Sequence, residues 1–438
     1  MHLNWFSPLP PARTDIANFT ARLLPALHKQ ANITLCNSTD LAEDGFSQFG
    51  EIKDASKKNL DWLALNFADH SIYQIGNDIR FHGPFLNHLK RHGGIVVLHD
   101  TNLHETLRVQ CLHIDQKPDK YVSLLARFEG SKAAEDGRAH IQGKISLDEM
   151  VLRYPLTRTA LVGAHGVIVH NPQQLKTVQQ LTAAPSVHIP LPYCEEAQLP
   201  TLTGILKPTK EPLQMVMFGF LHGENRRLIP FLESWAAMAE RYRFRLTLFG
   251  EIGDRERLKT KLEELHLRDL VTIHGFLSEE QMSDVLNKSD LAINLRYPTR
   301  GEASGALLRI WSHALPTLVS DDGYYTNISD KLVIKVDPLN ESAHIQATLR
   351  ECLLHPAKFR EMGANARRAL ETHTPEAYVK LLFAFLEQVE AYRKFAYLEH
   401  YIPRLAHQFI GTIPQPVAQK HWIDRCSKEL ASWLNAPL

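Results

Sequence analysis

Leu291-Ala-Ile-Asn-Leu-Arg-Tyr-Pro-Thr-Arg-Gly-Glu-Ala-Ser-Gly-Ala-Leu-Leu-Arg-Ile-Trp-Ser-His-Ala-Leu-Pro-Thr-Leu-Val-Ser-Asp-Asp322 is the stretch whose reading decides the fold. Leu291–Leu295 is an apolar run of strand length, and Arg296–Gly301 is a polar loop. Glu302-Ala-Ser304-Gly305 leads into Ala306–Trp311, which is apolar at helical spacing. A second apolar run, Pro316–Val319, ends in Ser320-Asp321-Asp322. Strand, loop, helix, strand is the unit of a parallel α/β sheet. A helix entered through small residues offers free backbone N–H groups and a positive dipole end, which suits an anion such as phosphate. Glu302 stands on the loop where a carboxylate would meet sugar hydroxyls. An ordinary crossover with a solvated Glu has the same local pattern.

The whole chain is in keeping with that unit repeated. Its 438 residues are too many for one ordinary core, so two domains are expected. Hydrophobic content of 44% and charged content of 22% are those of a soluble globular protein. With 49 basic and 49 acidic residues the formal net charge is zero, which gives no support to broad binding of nucleic acid or of an anionic membrane. Five scattered cysteines without a CxxC pair argue against a zinc site or a disulfide framework. The first residues lack a basic leader, and Pro8, Pro10 and Pro11 interrupt them, so no signal peptide is expected. No apolar stretch has transmembrane length, and the cytoplasm is the expected location.

Upstream, Leu3–Ser7 reads as a strand, Ser7–Asp15 as a Pro-rich loop and Ile16–Leu27 as an amphipathic helix, the opening of a doubly wound domain. Leu63–Phe67 and Ser71–Ile75 are short strand candidates, followed by a turn at Gly76-Asn77-Asp78 and a helix over Phe81–His92. Ile95–Leu98 is a buried strand ending in His99-Asp100, where site residues sit in such sheets. A strand-end His bonded to a loop is the plainer alternative. Thr101–Arg158 is mostly helical, with looser segments at Gln116–Asp119 and Gly130–Gly137; a mobile segment near Gly130 could border a binding groove. Gly166–Asn171 and Val187–Pro190 complete the first sheet, and Glu195–Pro212 is the linker. Leu213–Phe218 opens the second domain. Its first loop carries Arg226 and Arg227 at a helix start, where cations oppose the dipole unless an anion is bound. Arg245–Gly250, Leu270–Gly275 and Leu332–Val336 are further strands, and Ser278 heads a capping box. Ser342–Leu354, Pro356–Thr372 and Glu376–Tyr397 read as helices, with another near Trp422–Trp433. The last could pack on a domain, a partner subunit or a membrane surface. Packing is the commonest case, and low basic density argues against the membrane, so peripheral association is left open.

Several of these motifs occur in one family's order. Glu302-Ala-Ser304-Gly305, Pro316-Thr-Leu-Val-Ser-Asp321 and Gly275-Phe276-Leu277 resemble the donor half of GT-B retaining glycosyltransferases of family 4, the bacterial glycosyltransferase group 1. Trp5–Arg13, Tyr73–Asn77 and Val96–Asp100 resemble the acceptor half, so the resemblance runs from about Leu3 to about Thr372. It implies an α/β chain of two Rossmann-like domains with a cleft between them and a C-terminal helix crossing back. The expected divisions are 1–200 on the acceptor side, 213–375 on the donor side and 376–438 as helices packing on the first domain. It also implies transfer of a hexose from a UDP- or GDP-sugar, with retention, to a glycan or other hydroxyl acceptor, in surface polysaccharide synthesis.

The resemblance distributes roles. His99 and Glu302 would be catalytic, contacting the donor sugar from opposite domains. Arg226, Arg227, Ser304 and Gly305 would bind the donor diphosphate. Gly275, Phe276, Leu277 and Arg309 would hold the nucleotide, and Arg13, Asp15 and Asn77 would line the acceptor side. Asp15 stands where members often have Gly, Phe220 where many have a cation, and Ile310 where many have a ribose-binding Glu. No metal and no cofactor beyond the sugar nucleotide is expected, in agreement with the absence of an Asp-x-Asp motif; the oligomeric state is not readable. Two other classes stay in view. One is a non-catalytic subunit that binds sugar nucleotide or glycan. The other is a sugar-nucleotide epimerase, which would need more carboxylates around the sugar than Glu302 alone.

Overall fold

The computed structural model describes residues 1–39, 44–56, 60–193, 212–221, 223–299 and 301–410, with side chains to residue 393. Two sheets organise it. The first has seven strands: β1 (His2–Phe6), β2 (Asn32–Asn37), β3 (Gly50–Asp54), β4 (His70–Ile75), β5 (Gly94–Leu98), β6 (Ala164–Val169) and β7 (Ser186–His188), in the order β3-β2-β1-β4-β5-β6-β7. The second has six: β8 (Leu213–Leu221), β9 (Phe244–Ile252), β10 (Val271–Ile273), β11 (Leu291–Asn294), β12 (Thr317–Ser320) and β13 (Ile334–Val336), in the order β10-β9-β8-β11-β12-β13. Neighbouring strands run parallel throughout both.

Parallel strands need crossovers, and the helices that make them cover both sheet faces. The central strands are therefore apolar on both sides: β5 is buried along its whole length, as are β11 and β12. Each sheet has its own core. Phe6, Tyr73, Phe85, Val96 and Leu98 anchor the first, and Met215, Phe231, Trp235, Leu248 and Ile293 anchor the second. In each sheet the strand order reverses once, between β1 and β4 and between β8 and β11. In open α/β sheets, ligands bind beyond the strand ends at such switch points.

The structure corrects four expectations. Leu63–Phe67 is not a strand: Trp62–Leu65 is a helical turn, capped by Asp61, whose Oδ1 accepts from Ala64 N at 3.1 Å. β2 and β3 were not foreseen; β3 lies at the sheet edge and is only part-buried, so it lacks an apolar run. Gly130–Gly137 is not loose. Gly130 separates two helices, Pro118–Glu129 and Ser131–Ile141, the second of which buries Ala133, Ala134 and Gly137. The helix expected at Glu376–Tyr397 is longer, Pro375–Ile410. Its first turns return to the first domain, with the Tyr378 ring 5.4 Å from that of Phe19. From Leu386 the chain forms a separate unit. Most of the expected linker, and the stretch near Trp422–Trp433, lie outside the described residues.

Candidate active site

The loops at the two switch points face each other. β5 runs into His99 and Asp100, and His99 N–H continues the ladder to Ile75 O at 2.8 Å. The next residues meet the second domain. Asp100 and Glu302 pair as an isolated antiparallel bridge, and Thr101 Oγ1 donates to Gly301 O at 3.4 Å. Gln174 Nε2 donates to the same carbonyl. Gly301 has φ +80°, and a Cβ there would lie 2.0 Å from Thr101 Oγ1, so this close approach requires glycine.

On the first-domain wall, the His99 imidazole donates from Nε2 to Gln74 Oε1 at 2.9 Å. Its ring is edge-on to Phe19 at 4.9 Å and lies 4.7 Å from His170. Burial holds its pKa well below the ordinary imidazole value, with His170 and His82 adding to the effect, so at neutral pH it is uncharged. Asp100 behaves oppositely. Burial, then the neighbouring Glu302, lift its pKa to about 6, against the opposing effect of the Asn77 N–H that donates to Oδ2 at 2.9 Å. Asn77 is otherwise engaged, its Oδ1 accepting from Thr106 Oγ1 at 2.6 Å.

On the second-domain wall, Glu302 Oε1 accepts from Arg296 Nη1 at 2.6 Å. Arg296 is 9% exposed, and its Nε has no hydrogen-bond partner among the described residues. Burial alone would lower its pKa, but Tyr325 and Glu302 more than offset that, so it stays charged. Arg226 is part-buried and close enough for Arg296 to act on it. Burial first, then Arg296, lower its pKa to about 10, which leaves it protonated at neutral pH. The two loops are tied by Tyr297 N–H donating to Asn225 O at 2.8 Å. Arg227 is placed differently. Its backbone is left-handed, φ +57°, and its guanidinium grips Glu341 with Nε at 3.1 Å from both carboxylate oxygens and Nη2 at 2.5 Å from Oε2.

The helix Gly305–Ser312 starts beside this cluster. Ser304 is its N-cap, its Oγ accepting from Leu307 N–H and Asn294 Nδ2, each at 3.2 Å. Gly305 faces Asp15 of the first domain, and a Cβ on it would lie 3.8 Å from Asp15 Oδ2. Arg13 places its guanidinium 5.6 Å from the ring centre of Phe276. Phe276 is 57% exposed and edge-on to Phe220 at 6.4 Å. Gly275 O accepts from Gly250 N–H at 2.9 Å, and Leu277 packs on the cluster around Phe249. Arg309 pairs with Glu279 and lies 3.4 Å from Met282 Sδ. Ile310 is 1% exposed and packs with Val216, Phe249 and Ala292, so a carboxylate there would be buried among apolar side chains.

Of the residues expected at a site, Glu302, Arg226 and Asp15 lie close enough to act on one another's charges, and Gly305, next to Ser304, approaches Asp15, while the His99 ring, one residue before Asp100, is packed against Gln74, Phe19 and His170. Arg13 lies over Phe276, while Arg227 is turned to Glu341. Asp100 is expected beside His99 at a strand end but carries no expected role, and Arg296, Gln74 and Gln174 carry none either. Arg296 stands one residue beyond β11, after Leu295, at the switch point, so the strand-end rule that selected His99 reaches it too. A neutral imidazole, a carboxylate locked to a guanidinium, a carboxyl with pKa about 6, a second guanidinium and a helix start suit an anion joined to a polyhydroxyl group. Among the described residues, no group of three or more His, Cys, Asp or Glu side chains is arranged to hold a metal ion, and no helix is long and apolar enough to cross a membrane.

No family model matches this sequence, and no curated protein matches it by sequence. Solved structures do resemble the fold. Sucrose-phosphate synthase from Thermosynechococcus elongatus superimposes with a TM-score of 0.62 at 13% identity, over 89% of this chain and 99% of that one. WaaG, a glycosyltransferase involved in lipopolysaccharide biosynthesis, does so at 0.56 and 14%, over 87% and 99%. Anabaena HepE in complex with UDP-glucose does so at 0.57 and 12%, over 88% and 99%. At these identities the likeness is one of architecture: two parallel-sheet α/β domains in the GT-B arrangement.

Proposed function

We propose that this chain is a retaining glycosyltransferase of the family 4 type that moves a hexose from a UDP- or GDP-sugar to a glycan or other hydroxyl acceptor. The observation that carries the reading is the meeting of Glu302, Arg296, Arg226 and the Ser304-Gly305 helix start with His99 and Asp100, at two switch points facing one another. An anion-binding set on one wall and hydroxyl-binding groups shared by both match a sugar nucleotide in kind and order. Fold neighbours named for lipopolysaccharide biosynthesis, and one solved with UDP-glucose, support a nucleotide-sugar donor and a role in surface polysaccharide synthesis.

In this mechanism the bond between the sugar C1 and the diphosphate oxygen breaks first. Arg226 and the N–H groups at Gly305 neutralise the leaving charge, which is worth most in a site that excludes water. Glu302, oriented by Arg296, accepts hydrogen bonds from the donor sugar hydroxyls. The uncharged His99 contacts the sugar from the other wall. The acceptor oxygen bonds to C1 on the face the diphosphate leaves, and its proton passes to the departing phosphate oxygen. No side-chain nucleophile, metal or further cofactor is called for. Phe276 and the backbone around Gly275 are assigned to the base, Arg309 to the nucleotide, and Arg13, Asp15 and Asn77 to the acceptor side. A cytoplasmic location belongs to the same proposal.

The test is a thermal-shift screen with UDP, GDP and their common sugar conjugates on the wild type and on Glu302→Ala. One conjugate is expected to stabilise the wild type beyond its bare nucleotide, by mass action, and Glu302→Ala is expected to lose that difference. If no nucleotide shifts the melting temperature, the reading fails.

A further inference from the structure

We infer that Arg296, rather than Arg227, is the second guanidinium of an anion site shared with Arg226, and that this pair takes the diphosphate of a nucleoside diphosphate. The inference rests on the donor-site reading above and deepens it by naming the residues that hold the charge.

Arg226 and Arg227 are adjacent in sequence but not in role. Arg227 is held by three nitrogen–oxygen contacts to Glu341, a carboxylate only 8% exposed, so its charge and its planar fork are already used. Arg226, one residue earlier, has no hydrogen-bond or ion-pair partner among the described residues. Arg296 reaches the same place from the neighbouring strand end, because Tyr297 N–H is bonded to Asn225 O. It is nine-tenths buried, yet only its Nη1 is paired, with Glu302, while its Nε lacks a partner among the described residues. Two guanidiniums so close repel each other, and that repulsion helps pull the Arg226 pKa down. Glu302 and Asp15 are the carboxylates that counter them. An incoming diphosphate supplies the missing acceptors and the missing negative charge together. Glu302, released from part of its hold on Arg296, then turns to the sugar.

Isothermal titration of the full chain with inorganic pyrophosphate tests this. Arg296→Lys keeps the charge but loses the fork, and is expected to weaken pyrophosphate binding by about tenfold or more. Arg227→Gln is expected to change it by less than about twofold, since its side chain is committed to Glu341. Glu302→Gln is expected to tighten it several-fold, because a competing carboxylate is gone; a merely structural ion pair predicts the opposite sign. Unchanged affinity in Arg296→Lys, or a loss in Arg227→Gln as large as that in Arg296→Lys, overturns the inference, as does a wild type that binds no pyrophosphate. If Arg296→Lys does not fold, Glu302→Gln decides: tightening supports the pair, and no change or weakening overturns it. A protein that binds pyrophosphate with the expected pattern but gains nothing from any attached sugar keeps the arginine pair and loses the transferase reading.

Discussion

Replacing Asp100 by Asn is expected to make the protein more stable at pH 7.5. The carboxyl is part-buried, belongs to the residue bridged to Glu302, and has its pKa raised from 3.8 to about 6. At pH 7.5 it is ionised in both the folded and the unfolded chain, and the folded state bears the penalty. The gap between 3.8 and about 6 corresponds, at about 1.36 kcal/mol per pH unit, to a ceiling of about 3 kcal/mol. Solvent reaching the cleft reduces this to roughly 1–3 kcal/mol. The sign follows from proton linkage. The folded carboxyl holds its proton more tightly than the unfolded one. Its stabilising contribution is therefore complete below about pH 3.8 and is lost as the pH rises through about 6, with about two thirds present at pH 4.5. Asn is neutral throughout, and its Oδ1 still accepts from Asn77 N–H. Guanidinium unfolding of both proteins at pH 4.5 and 7.5, followed by tryptophan fluorescence, measures the difference. The advantage of Asp100→Asn at pH 7.5 should mostly vanish at pH 4.5. An equal difference at the two pH values, or a variant less stable than wild type at pH 7.5, would refute the reasoning.

Other outcomes follow from single contacts. Glu341→Gln leaves the Arg227 guanidinium without its carboxylate and should lower stability by roughly 1–3 kcal/mol, read from a shifted urea midpoint. Gly363→Ala should destabilise by roughly 1–3 kcal/mol despite the better helix former, because the new Cβ would lie 1.9 Å from Ala314 O; the thermal midpoint reads this, and a gain would show that the helix Pro356–Ala369 can shift away. The buried Tyr378 hydroxyl has no partner among the described residues, so Tyr378→Phe should leave stability unchanged or raise it by up to about 1 kcal/mol. A clear loss in the same unfolding assay would reveal an unrecognised partner.

The parallel architecture was legible because its central strands are buried on both faces. β5, β8, β11 and β12 stand out as apolar runs, and each is followed by a loop and a helix. β3, Gly-Glu-Ile-Lys-Asp, has no such run, since an edge strand is wetted on one side. The helical turn at Trp62–Leu65 has an apolar run as short as a strand's, and only the Asp61 cap distinguishes it. In the site, strand ends gave His99, and the Glu-x-Ser-Gly turn gave Glu302 and Ser304. What could not be read is who pairs with whom. Arg227 meets Glu341 across 114 residues, and nothing near Arg227 announces it. Ile310, in the place where a second Glu was looked for, lies under the sheet. A buried position explains its apolar character without reference to any ligand.

The bond from Thr101 to Gly301 spans 200 residues of chain, and that from His373 to Leu191 spans 182. During synthesis at about 5–20 residues per second, roughly 10–40 s separate the emergence of Thr101 from that of its partner. The first sheet has its own core and can form in that interval, with His99 and Asp100 open to water and to whatever else is nearby. The contacts between the facing loops thus form after the first sheet and before the helix from Pro375 can pack back on Phe19. A nascent chain halted before Gly301 carries a finished first-domain wall and a second core still missing Leu318, Val336, Ile345 and Leu349, and that unfinished apolar core is where a chaperone would find most to bind.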